Sequence, residues 1–184
     1  MNIFILLFSA FLFGIFSKAA DLFDEHGAKE PFFGAAITCG ILWGFFGSCM
    51  VILNHNVGIF YVALLLYWIL RVKVDYRNHG IGAVMILITA LYFIPNQLHV
   101  SILEIIGIIT LYEFTKILET WGQKKSERKI IHIILKCRLC LVPCLYSIYL
   151  HDMIILYTAY LALLGVIVTN LVYNRVAFSK KIRN

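Results

Sequence analysis

The feature that most constrains this chain is the placement of its 16 Lys and Arg residues around its hydrophobic segments. Hydrophobic runs separated by polar breaks predict about seven membrane spans, approximately residues 2–17, 33–53, 57–72, 81–95, 99–118, 131–150 and 153–173. Every Lys and Arg then lies on one side of the membrane, and the opposite connections, 54–56, 95–97 and 151–152, contain none. Because Lys and Arg favour cytosolic loops, this asymmetry predicts an outside N-terminus and a cytosolic C-terminus.

The composition is typical of a polytopic integral membrane protein of the all-α class. The chain has 184 residues, of which 61% are hydrophobic and 14% charged, and its mean hydropathy is +0.87. Soluble domains carry roughly a quarter charged residues, so much of this surface must face lipid. We therefore predict a single transmembrane helical domain, residues 1–184, in a multi-pass protein of the cell membrane. The cytosolic loops account for the net charge of +6, and we expect membrane lipid, not nucleic acid, as the partner.

Two of the hydrophobic segments have a second interpretation. The first, Asn2 to Phe16, resembles a signal-peptide core in length, but no basic region precedes it and no small-residue cleavage site follows it. We expect a retained helix there. Lys136 and Arg138 interrupt the sixth segment. Residues 124–137 could instead form an interfacial amphipathic helix before a shorter span, with both basic side chains reaching toward lipid headgroups.

Two polar motifs lie on the predicted cytosolic side. Each has three polar residues at the spacing i, i+3, i+4: Asp21, Asp24 and Glu25 in the first, and Asp75, Asn78 and His79 in the second. On a helix these positions share one face. If the first and third spans continue helically for one turn, each motif presents three ligand-type side chains together, and Gly27 and Gly80 would be helix C-caps.

The residue types in and around these motifs suit a headgroup-level site for a phosphorylated lipid. Carboxylates bind a hard divalent cation, Mg²⁺ above all, and this role is assigned to Asp21, Asp24 and Asp75. Basic side chains hold phosphate oxygens, a role assigned to Lys18, Lys73 and Arg77. The candidate catalytic residues for proton transfer are His26, His79 and Glu25. The alternative is that all of these are solvated loop charges that only set topology.

Three further residues are candidate additions to the site: Asn78, Glu113 and Glu104. Glu104 lies in the outer third of the fifth span, where a carboxylate is costly and should face the protein interior or a cavity. Alternatively, its carboxylate reaches water at the interface. Glu113 lies about one turn from the cytosolic end of the same span, and it would either join the motif residues or pair with Lys116 or Lys73.

Small residues in the second span form a stripe: Gly40, Gly44 and Gly47. In membrane helices, small residues allow two backbones to approach closely. We therefore expect this face to pack against another helix instead of forming a functional site.

The acidic residues of the motifs also carry a family resemblance. Asp21-x-x-Asp24 and Lys73-Val-Asp75 resemble part of the aspartate motifs of UbiA-type prenyltransferases. The resemblance implies an all-helical transferase that holds Mg²⁺ at the cytosolic face. The full N-D-x-x-D-x-x-x-D pattern of that family is absent from this chain, so the resemblance covers only these short segments.

The leading functional hypothesis is a small membrane-embedded enzyme, a metal-dependent transferase that acts at the cytosolic interface on a phosphorylated or isoprenoid lipid. A small ion- or proton-coupled transporter or channel is the alternative, with Glu104 as its mid-membrane ionisable residue. The third hypothesis is a non-catalytic subunit of a membrane complex. The spans have few polar interruptions, which argues against transport because transporters commonly have broken helices near the midplane.

Overall fold

The computed structural model describes residues 2–24, 26, 28–72, 74, 77–94, 98–125 and 138–183, and every regular element in this part of the chain is an α-helix. The helices are α1 (Ile3–Asp24), α2 (Ala35–Leu53), α3 (His55–Leu70), α4 (Arg77–Phe93), α5 (Leu98–Lys125), α6 (Arg138–Leu150) and α7 (Ile154–Arg183). Their order follows that of the seven predicted spans. The predicted all-α class is therefore confirmed for the described residues.

Three of the helices are long and apolar enough to cross a membrane. They are α1, α2 and the part of α7 from Ile154 to Arg175. Two shorter apolar helices accompany them, namely α3 and the Cys140–Leu150 part of α6. These lengths and compositions support a membrane-embedded helical protein, whereas the number of crossings and their orientation stay predictions.

α2 and α4 pack against each other in the same direction, with their backbones close together. A Cβ atom on Gly40 would lie 2.4 Å from the carbonyl oxygen of Asn78, and one on Gly44 would lie 2.7 Å from the Cα atom of Gly82. The contacts therefore move toward the C-terminus along both helices, as they do in a parallel pair. The glycine stripe predicted as a packing face is confirmed as one, because only residues without Cβ atoms allow this approach.

α1 packs against both α2 and α7. A Cβ atom on Gly14 would lie 1.9 Å from the carbonyl oxygen of Ala162, so this helix pair also depends on a glycine. Phe13 of α1 fills the space toward α2 and α3, with its ring centroid 5.7 Å from that of Trp43 and 5.2 Å from that of Tyr61.

α3 is the most buried helix, with an unbroken run of buried residues from Val57 to Leu65. A helix that is hydrophobic on all sides belongs in the core of a bundle. The ring of Phe60 in this run lies 6.5 Å from Tyr112 of α5 and 6.2 Å from Tyr146 of α6. α3 therefore connects the α1–α2–α4 packing to α5 and α6.

The connections between helices define two ends of the bundle. A single residue, Asn54, separates α2 from α3, and its Oδ1 accepts a hydrogen bond of 2.9 Å from the Val57 amide as an N-cap. Asn56 Nδ2 donates to Asp152 Oδ2 at 3.3 Å, so the α2–α3 and α6–α7 connections meet. We call this the loop end, and we call the end where α1 finishes and α2 and α4 begin the motif end.

The second motif does not extend α3, which corrects one prediction. α3 ends at Leu70, because Val72 has a left-handed φ of 51° that an α-helix does not allow. α4 then begins at Arg77, so Asn78 and His79 lie in its first turn. Gly80 is inside α4 and is not a C-cap.

The remaining boundary predictions have mixed outcomes. α1 continues to Asp24, as the first motif required, whereas Gly27 lies outside the described residues. The described part of α6 begins at Arg138, and residues 131–137 of the predicted span lie outside the described residues. Most of the alternative interfacial helix, 124–137, also falls outside the part of the chain that the structure describes.

Candidate functional site

The last turns of α1 present two charged side chains on one face. Lys18 and Asp21 are three residues apart, and Lys18 Nζ donates to Asp21 Oδ2 at 3.3 Å. The other carboxylate oxygen, Oδ1, lies 2.8 Å from Nε2 of His79 in the first turn of α4. One residue from each polar motif thus meets in a direct contact. We call Lys18, Asp21 and His79 the motif cluster.

A buried asparagine fixes the geometry of this contact. Asn78 is fully buried, and its Nδ2 donates to the carbonyl oxygen of Ala20 at 3.2 Å. Its Oδ1 accepts a 2.6 Å hydrogen bond from the backbone N–H of His79. The amide thereby satisfies a carbonyl in the last turn of α1 and holds the first turn of α4 against it. In this structure Asn78, predicted as a candidate ligand, holds the neighbouring His79 in position.

The motif cluster runs from the core to the surface. The side chain of His79 is 8% exposed and that of Asp21 32% exposed. Behind the imidazole lies Trp43 of α2, whose ring is nearly perpendicular to it with centroids 6.1 Å apart. A carboxylate bonded to one imidazole nitrogen fixes the orientation of the ring and favours its protonated form during proton transfer. Nε2 therefore faces the Asp21 carboxylate and Nδ1 is buried, so Nε2 is the nitrogen through which the imidazole would act as a base.

Three of the other residues predicted around the two motifs lie in the described part of the chain. Asp24 is half-buried at the end of α1, and His26 and Arg77 are exposed. Glu25, Lys73 and Asp75 lie outside the described residues. The structure therefore brings together Lys18, Asp21, Asn78 and His79.

The predicted magnesium site at Asp21, Asp24 and Asp75 stays a prediction. Within the described residues, no three His, Cys, Asp or Glu side chains are positioned to hold a metal ion. Both oxygens of Asp21 already have partners, His79 and Lys18. A cation at Asp21 would therefore need to share or displace these contacts, and Asp75 falls outside the described part of the chain.

Glu113 takes part in a contact between α3 and α5. Arg71 Nε donates to Glu113 Oε1 at 2.8 Å, and a second guanidinium nitrogen contacts Oε2. The predicted pairing of Glu113 with Lys116 is wrong, because Lys116 pairs with Glu119 at 3.2 Å. The other predicted partner, Lys73, lies outside the described residues. The hydrogen bonds from Arg71 to Glu113 raise the pKa of the guanidinium.

Glu104 faces a cleft between α5 and α6. Its Oε2 accepts a hydrogen bond of 3.3 Å from the hydroxyl of Tyr146. The cleft has a volume of about 400 Å³, and most of its lining is apolar. Glu104 thus lines a cleft, its role stays a prediction, and its tyrosine partner was not predicted.

Sequence reasoning missed the aromatic neighbours of both sites. The neighbours are Trp43 beside His79 and Tyr146 beside Glu104, and both lie on other helices. The spacing of the charged residues along their own helices therefore does not predict these neighbours. One signal pointed toward Trp43, since it lies next to Gly44 in the glycine stripe that packs on α4. No comparable pattern marks Tyr146.

Comparisons of the chain with protein-family models, with curated proteins and with solved structures found no match. The resemblance of Asp21-x-x-Asp24 and Lys73-Val-Asp75 to prenyltransferase motifs is thus not accompanied by a family match.

Proposed function

We propose that this chain is a membrane-embedded enzyme that acts at its motif end on a lipid with a phosphorylated headgroup, transferring a group to or from it. The observation that carries the proposal is the 2.8 Å contact between Asp21 and His79, flanked by Lys18. It joins a base, an orienting carboxylate and a cation at the surface end of a helical bundle. Charged residues that only set topology would stay in water, and they would not be expected to contact a nearly buried imidazole on another helix.

Each group has a distinct role in the proposed reaction. His79 removes the proton from an attacking hydroxyl through Nε2, the nitrogen beside the partly exposed Asp21 carboxylate, and Asp21 stabilises the charged imidazole. The bond from the transferred group to its leaving oxygen breaks, and the imidazole gives the proton to that oxygen. Lys18 binds a phosphate oxygen of the lipid, and the exposed Arg77 at the start of α4 supplies a second cation. Trp43 excludes water from the inner face of the imidazole.

A divalent cation is a separate part of the proposal. Mg²⁺ usually binds proteins through one or two carboxylates and completes its shell with water and substrate phosphate. A three-residue cage is therefore not required, and Asp24 or Asp75 would each serve as a carboxylate ligand. The cation would supply charge stabilisation at the phosphate.

The proposed orientation has the motif end in the cytosol. It rests on the complete absence of Lys and Arg from residues 54–56 and 151–152, which meet at the loop end. An impermeant thiol reagent applied to intact cells should label a single cysteine at Asn56 in a cysteine-free background. A single cysteine at Lys125 should be protected from the same reagent. The reverse pattern would invert the proposed orientation.

The function is tested by the lipid that the protein carries. Lipid is extracted from purified wild type, Lys18→Gln and His79→Gln and identified by mass spectrometry. We expect one phosphorylated lipid to be enriched in wild type and lost in Lys18→Gln. His79→Gln should keep it and shift the ratio of substrate to product toward substrate, because binding survives without the base. Asp152→Asn at the loop end is the matched control and should resemble wild type.

Two results would contradict the enzyme proposal. Bulk lipid alone in wild type would favour the transporter or the non-catalytic subunit. An enriched lipid that is unaffected by both Lys18→Gln and His79→Gln would show that it binds elsewhere on the protein.

A further inference from the structure

The cleft between α5 and α6 is separate from the motif cluster and has its own chemistry. It begins about 9 Å along α5 from the helix start at Leu98, near the loop end, because Glu104 is six residues into the helix. Its walls are mostly aliphatic, and Gly107 leaves one wall open, since a Cβ atom there would meet nothing within 4 Å. The polar groups in its lining are the Glu104 carboxylate and the hydroxyls of Tyr146 and Tyr149.

The carboxylate in this cleft has capacity for a further partner. Tyr146 donates one hydrogen bond to Oε2, whereas a carboxylate offers about four acceptor positions on its two oxygens. An ionised carboxylate in apolar surroundings is costly unless a positive charge or hydrogen-bond donors compensate it. The cleft is therefore electrostatically complementary to a cation.

Aromatic rings form the adjoining wall. The rings of Tyr146 and Tyr149 have centroids 6.4 Å apart, and Phe60 of the buried helix α3 supports Tyr146 at 6.2 Å. An ammonium group over the face of a tyrosine is attracted by the electrons of the ring, and aromatic walls are the usual recognition surface for alkylated ammonium. One carboxylate beside two tyrosines is thus a chemically consistent cation site.

We propose that this cleft binds a small amphiphilic organic cation, an ammonium group carried on a single apolar chain. The ammonium would lie beside the Glu104 carboxylate and against the exposed ring of Tyr149, and the chain would lie along the aliphatic walls. The volume of about 400 Å³ holds roughly a dozen groups of the size of a water molecule, which exceeds an ammonium head and leaves room for part of a chain. A zwitterionic phospholipid fits less well, because its phosphate would approach the Glu104 carboxylate. The proposal shares no residue with the motif cluster and does not depend on the proposed enzyme.

Equilibrium dialysis of the full-length protein in a nonionic maltoside detergent tests the proposal. The probe is radiolabelled dodecyltrimethylammonium, and its uncharged isostere, with carbon in place of nitrogen, is the matched ligand; protein-free micelles give the background. We expect one saturable site for the cation and at least tenfold weaker binding of the isostere. Glu104→Gln should weaken cation binding at least tenfold, and Tyr149→Phe should retain it. Glu113→Gln, on the same helix but outside the cleft, should bind like wild type.

Three outcomes would overturn the proposal. Equal binding of the cation and its isostere to wild type would show a hydrophobic cleft without charge recognition, and this comparison does not require any variant to fold. Unchanged binding to Glu104→Gln would exclude the carboxylate. Displacement of the probe by an equal concentration of phosphatidylcholine would identify a phospholipid as the occupant.

Discussion

The α2–α4 pair and the α5–α6 pair use glycine in opposite ways. In the first pair, Gly40 brings the α2 backbone so close to Asn78 that a Cβ atom would lie 2.4 Å from its carbonyl oxygen. In the second pair, Gly107 faces the cleft and has nothing within 4 Å of its Cβ position. Close packing fixes the polar groups of the motif cluster to within hydrogen-bond distance, whereas loose packing leaves a cavity beside Glu104. The same residue type thus accompanies a rigid site in one region and an open site in the other.

The largest effect should come from adding a methyl group in the tightly packed region. Gly40→Ala places a Cβ atom against the backbone of Asn78, which cannot move without displacing the first turn of α4. Overpacking typically costs about 1–3 kcal/mol, and at this approach to backbone atoms we expect about 3 kcal/mol, which exceeds the gain in helix propensity of about 1 kcal/mol. At roughly 2–4 °C per kcal/mol, the melting temperature measured in detergent should fall by several degrees.

Gly107→Ala is the matched control for that variant. It adds the same methyl group to a helix but places it in open space, so the melting temperature should hold or rise by the propensity gain. Equal destabilisation by the two variants would mean that the cleft is closed in solution, and the contrast between the two regions would be lost.

The next effect concerns the coupling between the two motifs. A double-mutant cycle with Asp21→Asn and His79→Gln should give a coupling free energy of about 1–2 kcal/mol, because the imidazole is nearly buried and the carboxylate is partly exposed. The cycle for Lys18 and Asp21, neighbours on one helix, should give about 0.3–0.5 kcal/mol. Unfolding in mixed micelles provides both values. A larger coupling for the lysine pair would reverse the inferred order of importance.

A smaller effect is expected in the loosely packed region. Tyr146→Phe removes the hydroxyl that donates to Glu104 and keeps the ring that packs on Phe60. The free energy of unfolding should fall by about 0.5–1 kcal/mol. In a Glu104→Gln background the same substitution should cost less, because the charged acceptor is gone. A loss as large as that of Gly40→Ala would show that this hydroxyl is part of the packed core.

The smallest effect should come from the exposed ion pair between Arg71 and Glu113. Both side chains are more than a third exposed, so water and salt screen their attraction. Arg71→Gln should leave the melting temperature at high salt unchanged within error. A clear loss at high salt would show that this pair stabilises the protein by more than a screened surface attraction.

Helical periodicity and charge were sufficient to predict the helices, their order and the packing face of Gly40. They also marked Asp21 and His79 as candidate site residues. They failed where the backbone leaves the regular pattern. The left-handed turn at Val72 moved the second motif from the end of α3 to the start of α4, and a hydrophobic residue such as valine gives no signal for such a turn.

The site was less predictable than the fold, for a physical reason. Polar and charged residues are easy to recognise in a sequence, but the partners of Asn78, His79 and Glu104 are the backbone carbonyl of Ala20, the ring of Trp43 and the hydroxyl of Tyr146. These groups are abundant in any apolar helix and acquire a role only when two helices meet. The convergence of side chains from different helices has no local sequence pattern.

The single residue between α2 and α3 has a consequence for how these two helices insert into the membrane. Asn54 accepts a hydrogen bond from the amide of Val57 and donates its own backbone N–H to Met50, so the tip of this hairpin largely satisfies its own polar groups. In the proposed orientation, only Asn54, His55 and Asn56 would have to be translocated during insertion, and none carries a fixed charge. α2 and α3 can therefore enter the bilayer as one helical hairpin. The short, buried α3 would then rely on α2 for its insertion and not on its own contact with lipid.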